Sequence, residues 1–299
     1  MAQARILITG SDGQLGWELA RTFADVGEVH ALGRAQLDLA DTNAIRARCR
    51  EIKPTLILNA AAYTAVDKAE SEPEIAMQLN GIAPAVMAEE ANRLSIPMIH
   101  YSTDYVFDGN ATRPYREDDP TSPQSVYGET KLVGEVAVTD IAREYLVLRT
   151  SWLYSNRRQN FLLTMLRLAR ERDELRVVAD QIGSPTWVRS VASMTAAAIA
   201  TETDTASLRA PTGVYHVAAT GQTSWHGFAE AILEGAPEST RRAKNVVPIA
   251  TLDYPTPAKR PPYSVLDSTK IARALAQEIP SWRSQLRDCL AENPLAKSG

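Results

Sequence analysis

The sequence holds few of the residues that bind metal ions or form disulfide bonds. Two cysteines and four histidines occur in 299 residues. Cys49 and Cys289 lie far apart in charged helical patterns, so we expect free thiols in a reducing compartment. The histidines show no spacing typical of metal ligands, and we expect structural roles for all four and no metal site. They are His30, His100, His216 and His226.

The sequence also has no excess of basic residues, and it has no long apolar runs. Lysine and arginine total 32 against 36 acidic residues, and a net charge of −4 offers no basic surface to nucleic acid or anionic lipid. No apolar run approaches the length of a membrane span. The N-terminus shows no basic stretch followed by an apolar core and a cleavage site, so we expect no signal peptide and a cytoplasmic protein.

What the first half does contain is a regular alternation of short apolar strands and longer amphipathic helices. The predicted strands are Arg5–Thr9, Glu28–Leu32, Thr55–Asn59, Pro97–Tyr101 and Tyr145–Arg149. The predicted helices between them are Gln14–Val26, Thr42–Ile52, Glu74–Leu94 and Val126–Arg143. Strands that are apolar throughout are typical of a parallel sheet covered on both faces. The pattern therefore predicts an α/β fold with a Rossmann-type doubly wound parallel sheet.

The alternation loosens after Trp152. We expect a helix over Phe161–Arg172, a strand over Leu175–Val178 and a helix over Val188–Thr201, followed by a proline-rich last third. These features predict two units: a mainly NAD(P)-binding Rossmann domain over 1–152 and a mainly substrate-binding, smaller α/β domain over 153–299. We expect the second to be partly interleaved with the first.

A glycine-rich turn follows the first predicted strand directly. It reads Gly10, Ser11, Asp12, Gly13, Gln14, Leu15 and Gly16. Glycines at this spacing permit a tight turn and let backbone approach a pyrophosphate, which the N-terminus of the following helix attracts. No Gly-Lys-Ser/Thr ends the motif, so it predicts dinucleotide binding and disfavours a P-loop NTPase.

The residues after the second and third strands bear on which cofactor is bound. Gly33-Arg34 stands where an NAD-preferring site usually has an acid, which suggests NADPH or tolerance of both cofactors. The alternative is that Arg34 is a surface arginine. Asp38 and Leu39 are candidates to lie against the adenine. The run after the third strand, Asn59 to Thr64, has small residues that suit a cofactor lying over the sheet edge.

Tyr127 and Lys131 form a Tyr-x-x-x-Lys spacing that places both side chains on one helix face. A nearby ammonium favours the ionised phenol, so we expect the pKa of Tyr127 to fall toward the working pH and allow proton transfer. Thr103 ends the fourth strand, so we expect its hydroxyl in the same crevice, where it can polarise a carbonyl. Alone, the spacing is common and often marks a solvated lysine beside a packed aromatic.

Together these motifs resemble the extended short-chain dehydrogenase/reductases that act on nucleotide sugars. The longest similar stretches are NAAAYTAVDKAESEP (59–73), HYSTDYVF (100–107), TSPQSVYGETKLVG (121–134) and LRTSWLY (148–154). Weaker similarity continues through DQIGSPT (180–186) and Arg260-Pro261. Within the family, the resemblance implies reduction of the C4 keto group of dTDP-4-dehydro-L-rhamnose by NADPH or NADH. The product, dTDP-L-rhamnose, would supply cell-surface polysaccharide such as lipopolysaccharide.

The resemblance also implies roles for individual residues. Tyr127 would be the general acid, Lys131 would lower its pKa and hold the nicotinamide ribose, and Thr103 would orient the carbonyl. The cofactor would further be lined by Ala61, Ala62, Tyr63, Thr64 and Tyr101. The sugar would be contacted by Asp104, Tyr105 and Trp152. Arg260 is either a partner of the substrate diphosphate or a solvated arginine in a proline-rich loop.

Two stretches depart from the pattern of the family. Gly33-Arg34 replaces an acid that some members carry, which leaves the preference between NADH and NADPH open. Some members dimerise through a metal held by acidic residues after the Gly-x-Pro-Thr loop, but Trp187 to Ser190 contains no acid. We therefore expect a monomer or a weak homodimer. Packing is expected for Trp225 and His226, with Ser224 as the N-cap, and only a local ion-pair role for Asp67, Lys68 and Glu70.

Two other functions remain open from the sequence. The first is a different nucleotide-sugar enzyme of the same family, a 4,6-dehydratase or an epimerase. Dehydratases typically follow the threonine with Asp-Glu, whereas this chain has Asp104-Tyr105, which favours simple reduction. The second is a non-catalytic NAD(P)-binding regulatory subunit, which the joint presence of Thr103, Tyr127 and Lys131 argues against.

Overall fold

A computed structural model describes residues 3–202 and 205–293 of the chain. The strands are β1 Arg5–Thr9, β2 Glu28–Leu32, β3 Leu56–Asn59, β4 Met98–Thr103, β5 Tyr145–Thr150, β6 Leu153–Tyr154, β7 Glu174–Val178, β8 Ile182–Gly183, β9 Thr186–Trp187, β10 Ile199–Glu202, β11 Thr205–Leu208, β12 Gly213–His216, β13 Thr223–Ser224 and β14 Asn245–Ile249. The α-helices are α1 Gln14–Thr22, α2 Thr42–Ile52, α3 Val66–Ala69, α4 Pro73–Met77, α5 Ala83–Leu94, α6 Val126–Ile141, α7 Phe161–Glu171, α8 Val188–Ala197, α9 Trp225–Gly235, α10 Thr269–Leu275 and α11 Trp282–Glu292.

A six-stranded sheet with the order β12-β5-β4-β3-β1-β2 forms the centre of the molecule. All neighbouring strands in it run parallel. The chain passes from β1 to β2 on one side and then returns to β3 on the other, so the direction of winding reverses between β1 and β3. This confirms the predicted doubly wound α/β fold, and ligands in such sheets bind at the carboxyl ends of the strands at this reversal.

Two apolar layers cover the faces of the sheet. On one face Ile6 and Ile8 of β1 join a cluster that includes residues of α1, α7, α8 and α9. On the other face Leu7 joins a cluster with residues of α2, α5 and α6. Successive residues of one strand thus enter opposite clusters, because side chains alternate across a strand. This two-sided burial explains why the strands read as continuous apolar runs.

The predicted helix over Val188–Thr201 is wrong in its last turn. Helix α8 ends at Ala197, and β10 follows and pairs in an antiparallel sense with β11. The carbonyl of Ala198 accepts a hydrogen bond from the Arg209 amide at 2.8 Å instead of continuing the helix. Similarly, the predicted helix over Glu74–Leu94 is divided by a π-helical segment, Gln78–Ile82, between α4 and α5. Helix α8 contains no proline or glycine, whereas the π-helical segment contains Gly81 and is followed, after Ala83, by Pro84.

The second half of the chain contributes to the central sheet as well as forming smaller structures. Strand β12, from Gly213 to His216, pairs with β5, while β7 and β14 form a separate parallel pair. The division at residue 152 stays a prediction, since no feature of the structure tests where one unit ends. Among the described residues, none of the helices combines the length and apolar character of a membrane span.

Candidate active site

A cleft of about 1000 Å³ opens at the carboxyl ends of the central strands. Its walls include Thr9 at the end of β1, Thr103 at the end of β4 and Thr150 at the end of β5. The start of α6 contributes Tyr127 and Lys131 to the same cleft. The fold therefore brings together residues that are far apart in sequence, at the position where doubly wound sheets bind ligands.

The glycine-rich turn forms one end of the cleft. Gly10 has φ +71°, and a Cβ there would lie 2.8 Å from backbone atoms of Ala61. A Cβ on Gly16 would collide with the Gly10 carbonyl oxygen. Larger residues at either position would therefore separate the turn from the loop after β3 or from the start of α1.

Helix α1 points an uncapped N-terminus at the cleft. Its N-cap is Gly13, which has no side chain to accept from the first helical amides, and Gln14 and Leu15 line the cleft. Free amides and the positive end of the helix dipole attract an anion such as a pyrophosphate. The residues present therefore fit the dinucleotide that the sequence predicts.

An acid and an arginine meet where β2 ends. The carboxylate of Asp12 accepts a hydrogen bond from the Arg34 amide at 3.2 Å, and a Cβ on Gly33 would overlap this carboxylate. Asp12, Arg34, Asp38 and Leu39 all line the cleft. The sequence has no acid directly after β2, yet the fold brings Asp12 there from the glycine-rich turn.

Asn80 connects the loop after β3 to the helix that carries Tyr127. Its side chain accepts from the Tyr63 amide at 2.8 Å and donates to the Tyr63 carbonyl at 3.1 Å and to Thr130 at 3.1 Å. Asn80 is fully buried and lies in the π-helical segment. The predicted cofactor residues Ala61 to Thr64 are therefore held to α6, a link that sequence spacing did not indicate.

Helix α6 begins under two caps. Ser125 accepts from the Gly128 amide at 3.2 Å, and Glu70 accepts from the Val126 amide at 3.0 Å. Tyr127, in the first turn, lies next to the Thr103 side chain and contacts Tyr105 edge to face, with ring centroids 5.5 Å apart. The caps fix the phenol against the end of β4, so an acid and a hydroxyl converge on one point.

The prediction that the pKa of Tyr127 falls is wrong for this structure. Burial raises the pKa to about 12, and the nearby Thr103 side chain opposes that rise. The phenol is removed from water, which penalises its ionised form. At neutral pH Tyr127 is therefore a neutral proton donor.

Lys131 lies almost fully buried, 2% exposed, one turn after Tyr127 on α6. Its ammonium donates to the Tyr101 carbonyl at 2.6 Å and lies 3.3 Å from Nε2 of His100. Burial lowers the pKa of Lys131 to about 8, while the negative charge of Glu135 opposes that fall. The lysine is thus charged at neutral pH but close to its titration.

Asp104 sits beside Thr103 at the floor of the cleft. Its carboxylate accepts from Thr103 at 3.1 Å and from Ser151 at 3.1 Å. Burial raises the pKa of Asp104 to about 6, and the hydrogen bonds from hydroxyls oppose this rise. Ser102, also in the cleft wall, has a buried hydroxyl with no partner among the described residues. Sequence reasoning assigned no role to Ser102.

Trp152 forms an aromatic wall with Trp225. The two rings stack with centroids 3.5 Å apart and planes 2° from parallel. Trp152 has φ +47°, an uncommon conformation for a large side chain, and a Cβ on Gly183 would meet its ring. Trp225, which the sequence assigned to packing, also lines the cleft. Ser224 caps α9 as predicted.

Arg260 lies outside the residues that line the cleft. Its Nη2 is 2.8 Å from Oδ2 of Asp67, and its Nη1 is buried without a partner among the described residues. The ion-pair role expected of Asp67 is confirmed, whereas Lys68 lines the cleft and Glu70 caps α6. Whether Arg260 also meets a diphosphate stays a prediction.

The cleft contains all the predicted site residues except Ser11, Gly16 and Arg260. It also contains a segment that sequence reasoning missed, Arg158 to Phe161, which reaches the glycine-rich turn. There Asn160 donates to the Gln14 side chain at 3.0 Å. No motif marks this segment, because its position depends on how the second half folds back on the first.

Similarity to known proteins extends over the whole chain. The family described as RmlD substrate binding domain matches residues 4–294. A dTDP-4-dehydrorhamnose reductase from Burkholderia thailandensis is 46% identical over 96% of this chain and 98% of its own length. The protein of the same name from Escherichia coli K12 is 42% identical over 96% of this chain and 97% of its own length.

A solved structure agrees with these sequence matches. The dTDP-4-dehydrorhamnose reductase from Bacillus anthracis, in complex with NADP, is 34% identical and superimposes with a TM-score of 0.89. The match covers 98% of this chain and 100% of that one. Full-length matches in sequence and in structure thus agree with the site geometry, and this chain belongs to the RmlD substrate binding domain family.

Proposed function

We propose that this protein reduces the C4 keto group of dTDP-4-dehydro-L-rhamnose to dTDP-L-rhamnose with NADPH or NADH. The observation that carries the proposal is the convergence of Thr103, Tyr127 and Lys131 on the cleft that begins at the glycine-rich turn. A proton donor and a dinucleotide-type turn in one cleft are what a carbonyl reductase needs. Relatives more than 40% identical over nearly their whole length carry the name of this activity.

The cofactor fits the first part of the cleft. The uncapped start of α1 would hold the pyrophosphate, Asp12 and Arg34 would face the adenosine ribose, and Lys131 with Tyr101 would border the nicotinamide end. When bound, a nicotinamide cofactor supplies the hydride. The side chains of the protein bind and orient the substrate and transfer the proton.

Tyr127 transfers the proton in this proposal. With its pKa raised to about 12, the phenol is protonated at neutral pH and can donate to the substrate oxygen as negative charge develops there. Thr103 lies beside the phenol and orients the same oxygen. The buried ammonium of Lys131 then stabilises the phenolate that proton transfer leaves behind.

The substrate would occupy the cleft beyond the cofactor. Trp152, held by Trp225, gives the sugar a flat apolar wall, and Asp104 and Tyr105 give polar contacts at the floor. Arg260 lies next to this region through its bond to Asp67 and would meet the diphosphate. These residues hold the C4 carbonyl near Thr103 and Tyr127.

We further infer a cytoplasmic enzyme that is a monomer or a weak homodimer and feeds polysaccharide synthesis. Both cysteines are free and buried, which suits a reducing compartment. Arg189, in the stretch where some members of the family carry an acid, is paired with Glu18 at 2.9 Å and also with Glu292. The two carboxylates nearest this position are thus bound by a guanidinium and are not free to bridge a metal.

The test is turnover of purified protein with dTDP-4-dehydro-L-rhamnose generated in situ. Oxidation of NADPH or NADH that depends on the keto sugar, with dTDP-L-rhamnose as product, supports the proposal. Cofactor binding without oxidation would instead assign the chain a non-catalytic role. The matched control is Tyr127→Phe, which removes one hydroxyl and leaves the ring.

A further inference from the structure

Behind Lys131 lies a buried polar chain that sequence reasoning left unassigned. His100 is fully buried on β4, and its Nε2 lies 3.3 Å from the Lys131 ammonium. Its Nδ1 lies 3.0 Å from the side-chain amide of Asn59, which in turn is bonded to the Thr9 hydroxyl at 2.7 Å. Asn59 and Thr9 are each 1% exposed. The chain of contacts connects the lysine to the end of β1.

The chemistry of the partners fixes how His100 is protonated. An ammonium has three donors and no acceptor, so Nε2 of His100 must accept from Lys131. The neutral ring then carries its proton on Nδ1, which as placed faces the amide nitrogen of Asn59 at 3.0 Å. The two ends of an asparagine amide are assigned from the hydrogen-bond network. Turned by 180°, the Asn59 amide offers its oxygen to Nδ1–H of His100 and its nitrogen to the Thr9 hydroxyl, which as placed donates to the Asn59 oxygen at 2.7 Å. Burial and the positive charge of Lys131 lower the pKa of His100 far below its usual range, which keeps the ring neutral.

The hydrogen bonds of Lys131 leave one donor for the cleft. Two of the three N–H groups are directed at the Tyr101 carbonyl and at His100. Since Lys131 also lines the cleft, the third is available to the reacting groups there. Without the His100 acceptor, the Lys131 ammonium would be free to rotate, and a second of its N–H groups would be buried without a hydrogen-bond partner.

The charged groups around this lysine are few and are placed on defined elements. Glu135 follows one turn later on α6 and forms a buried ion pair with Arg149 of β5. Asp104 and Tyr127 border the cleft side. Glu135 favours the charged lysine, whereas burial disfavours it. His100 is the neutral acceptor that faces the ammonium from β4.

We propose that His100 is a positioning residue, which fixes the Lys131 ammonium so that its remaining N–H points into the cleft. The inference deepens the proposed reductase function and rests on it. A tautomer locked by Asn59 cannot turn its N–H toward the lysine, so the acceptor is always presented. The lysine is thereby held charged and in one orientation, which is what stabilisation of a phenolate at Tyr127 needs.

Two substitutions separate this role from simple packing. His100→Gln places an amide near the position of Nε2 and keeps an acceptor for Lys131. His100→Asn places its amide near the position of Nδ1, keeps the contact with Asn59 and withdraws the acceptor from Lys131. Met98→Ala is the control, since Met98 is fully buried on the same strand and on the same face of the sheet but belongs to the apolar cluster.

The readouts are the pH dependence of kcat/KM, the dissociation constant of NADPH, and the thermal unfolding midpoint. For His100→Asn we expect a loss in kcat/KM of about 100-fold and a descending alkaline limb that moves to lower pH. The limb moves in this direction because loss of an acceptor disfavours the charged lysine. His100→Gln should keep the wild-type limb, and Met98→Ala should lower the midpoint without moving the limb.

The inference is overturned if His100→Gln and His100→Asn have the same pH profile. It is also overturned if Met98→Ala moves the alkaline limb as far as His100→Asn does. If the wild-type protein oxidises no cofactor, the proposed function itself has failed. The inference is then decided by the alkaline fall in NADPH affinity. The inference requires that this fall in NADPH affinity move to lower pH in His100→Asn and stay unchanged in His100→Gln. Identical behaviour of the two variants rejects the inference.

Discussion

Arg260 and Asp67 form an ion pair with Nη2 2.8 Å from Oδ2, although 193 residues separate them in the chain. Asp67 lies on the short helix α3 after the cofactor loop, and Arg260 lies in the proline-rich loop of the last third. Asp67 also accepts from the Ala258 amide at 3.2 Å. The acid thus holds the last third of the chain against the first at the edge of the cleft, with one guanidinium nitrogen left over.

Arg260→Ala should raise KM for the sugar nucleotide by roughly 10- to 100-fold, as expected for loss of a charged hydrogen bond. The value of kcat should change less, because Arg260 contacts no reacting atom in this account. Asp67→Asn is the matched control, since it removes the ion pair and keeps the guanidinium. Equal changes in KM for both variants would show that Arg260 serves the fold and does not bind the diphosphate.

Tyr127→Phe should lower kcat/KM by at least about 100-fold, because the cleft loses its proton donor. Cofactor affinity should stay close to that of the wild-type protein, which fluorescence titration with NADPH measures. Tyr215→Phe is the control, since it removes the hydroxyl of a buried tyrosine that does not line the cleft. If Tyr127→Phe kept its activity, Tyr127 would not be the proton donor.

Activity should decline as the pH rises through about 8, which is the pKa that burial gives Lys131. The ammonium is present below this pH and is lost above it, whereas Tyr127, with a pKa near 12, stays protonated throughout. The measurement is kcat against pH at saturating substrate. Lys131→Met should be weakly active with no such limb, and a limb retained in that variant would assign it to another group.

Cofactor preference should depend on opposing charges at the end of β2. Arg34→Ala should weaken NADPH more than NADH, because only NADPH carries a 2′-phosphate for the arginine. Asp12→Asn should act in the opposite direction and tighten NADPH by up to about tenfold, since the carboxylate beside the Arg34 amide repels the phosphate. Dissociation constants for both cofactors measure this. If each substitution changed the dissociation constants of NADPH and NADH equally, Arg34 and Asp12 would have only a structural role.

Asp104→Asn should stabilise the fold near neutral pH while raising KM for the sugar. Burial raises the pKa of Asp104 from 3.8 to about 6, so its favourable contribution is present below about pH 4 and is lost as the pH rises through 6. The difference in unfolding free energy between variant and wild type should therefore increase by roughly 2–3 kcal/mol from acidic to neutral pH. Urea unfolding at both pH values measures it, and a constant difference would contradict the shift.

The central fold could be predicted from the sequence because its determinants are local. Strand β1 is buried and mostly apolar, as expected inside a parallel sheet, and it begins and ends at the predicted residues. The half-buried edge strand β2 also begins and ends as predicted. Strand β12 escaped prediction because its four residues, Gly213 to His216, form no apolar run. Its place beside β5 is decided by packing between distant parts of the chain.

The candidate site divides in the same way. Tyr127, Lys131 and Thr103 were predicted because spacing and strand ends indicate which side chains share a crevice. The pKa of Tyr127 was predicted in the wrong direction, because the extent of burial is a property of the folded cleft. The contact of His100 with Lys131 joins β4 to α6 and has no local signal. The approach of Asp12 to Arg34 likewise has no local signal in the sequence.

The proposed reaction delivers a hydride to C4 of the keto sugar, with Tyr127 as the acid. The most direct test supplies NADPH labelled with deuterium at the transferred position, together with dTDP-4-dehydro-L-rhamnose, and analyses the sugar by NMR. We expect one deuterium at C4 of dTDP-L-rhamnose for each NADPH oxidised, and almost none with Tyr127→Phe. A product without deuterium at C4, or NADPH that is bound and never oxidised, would contradict it.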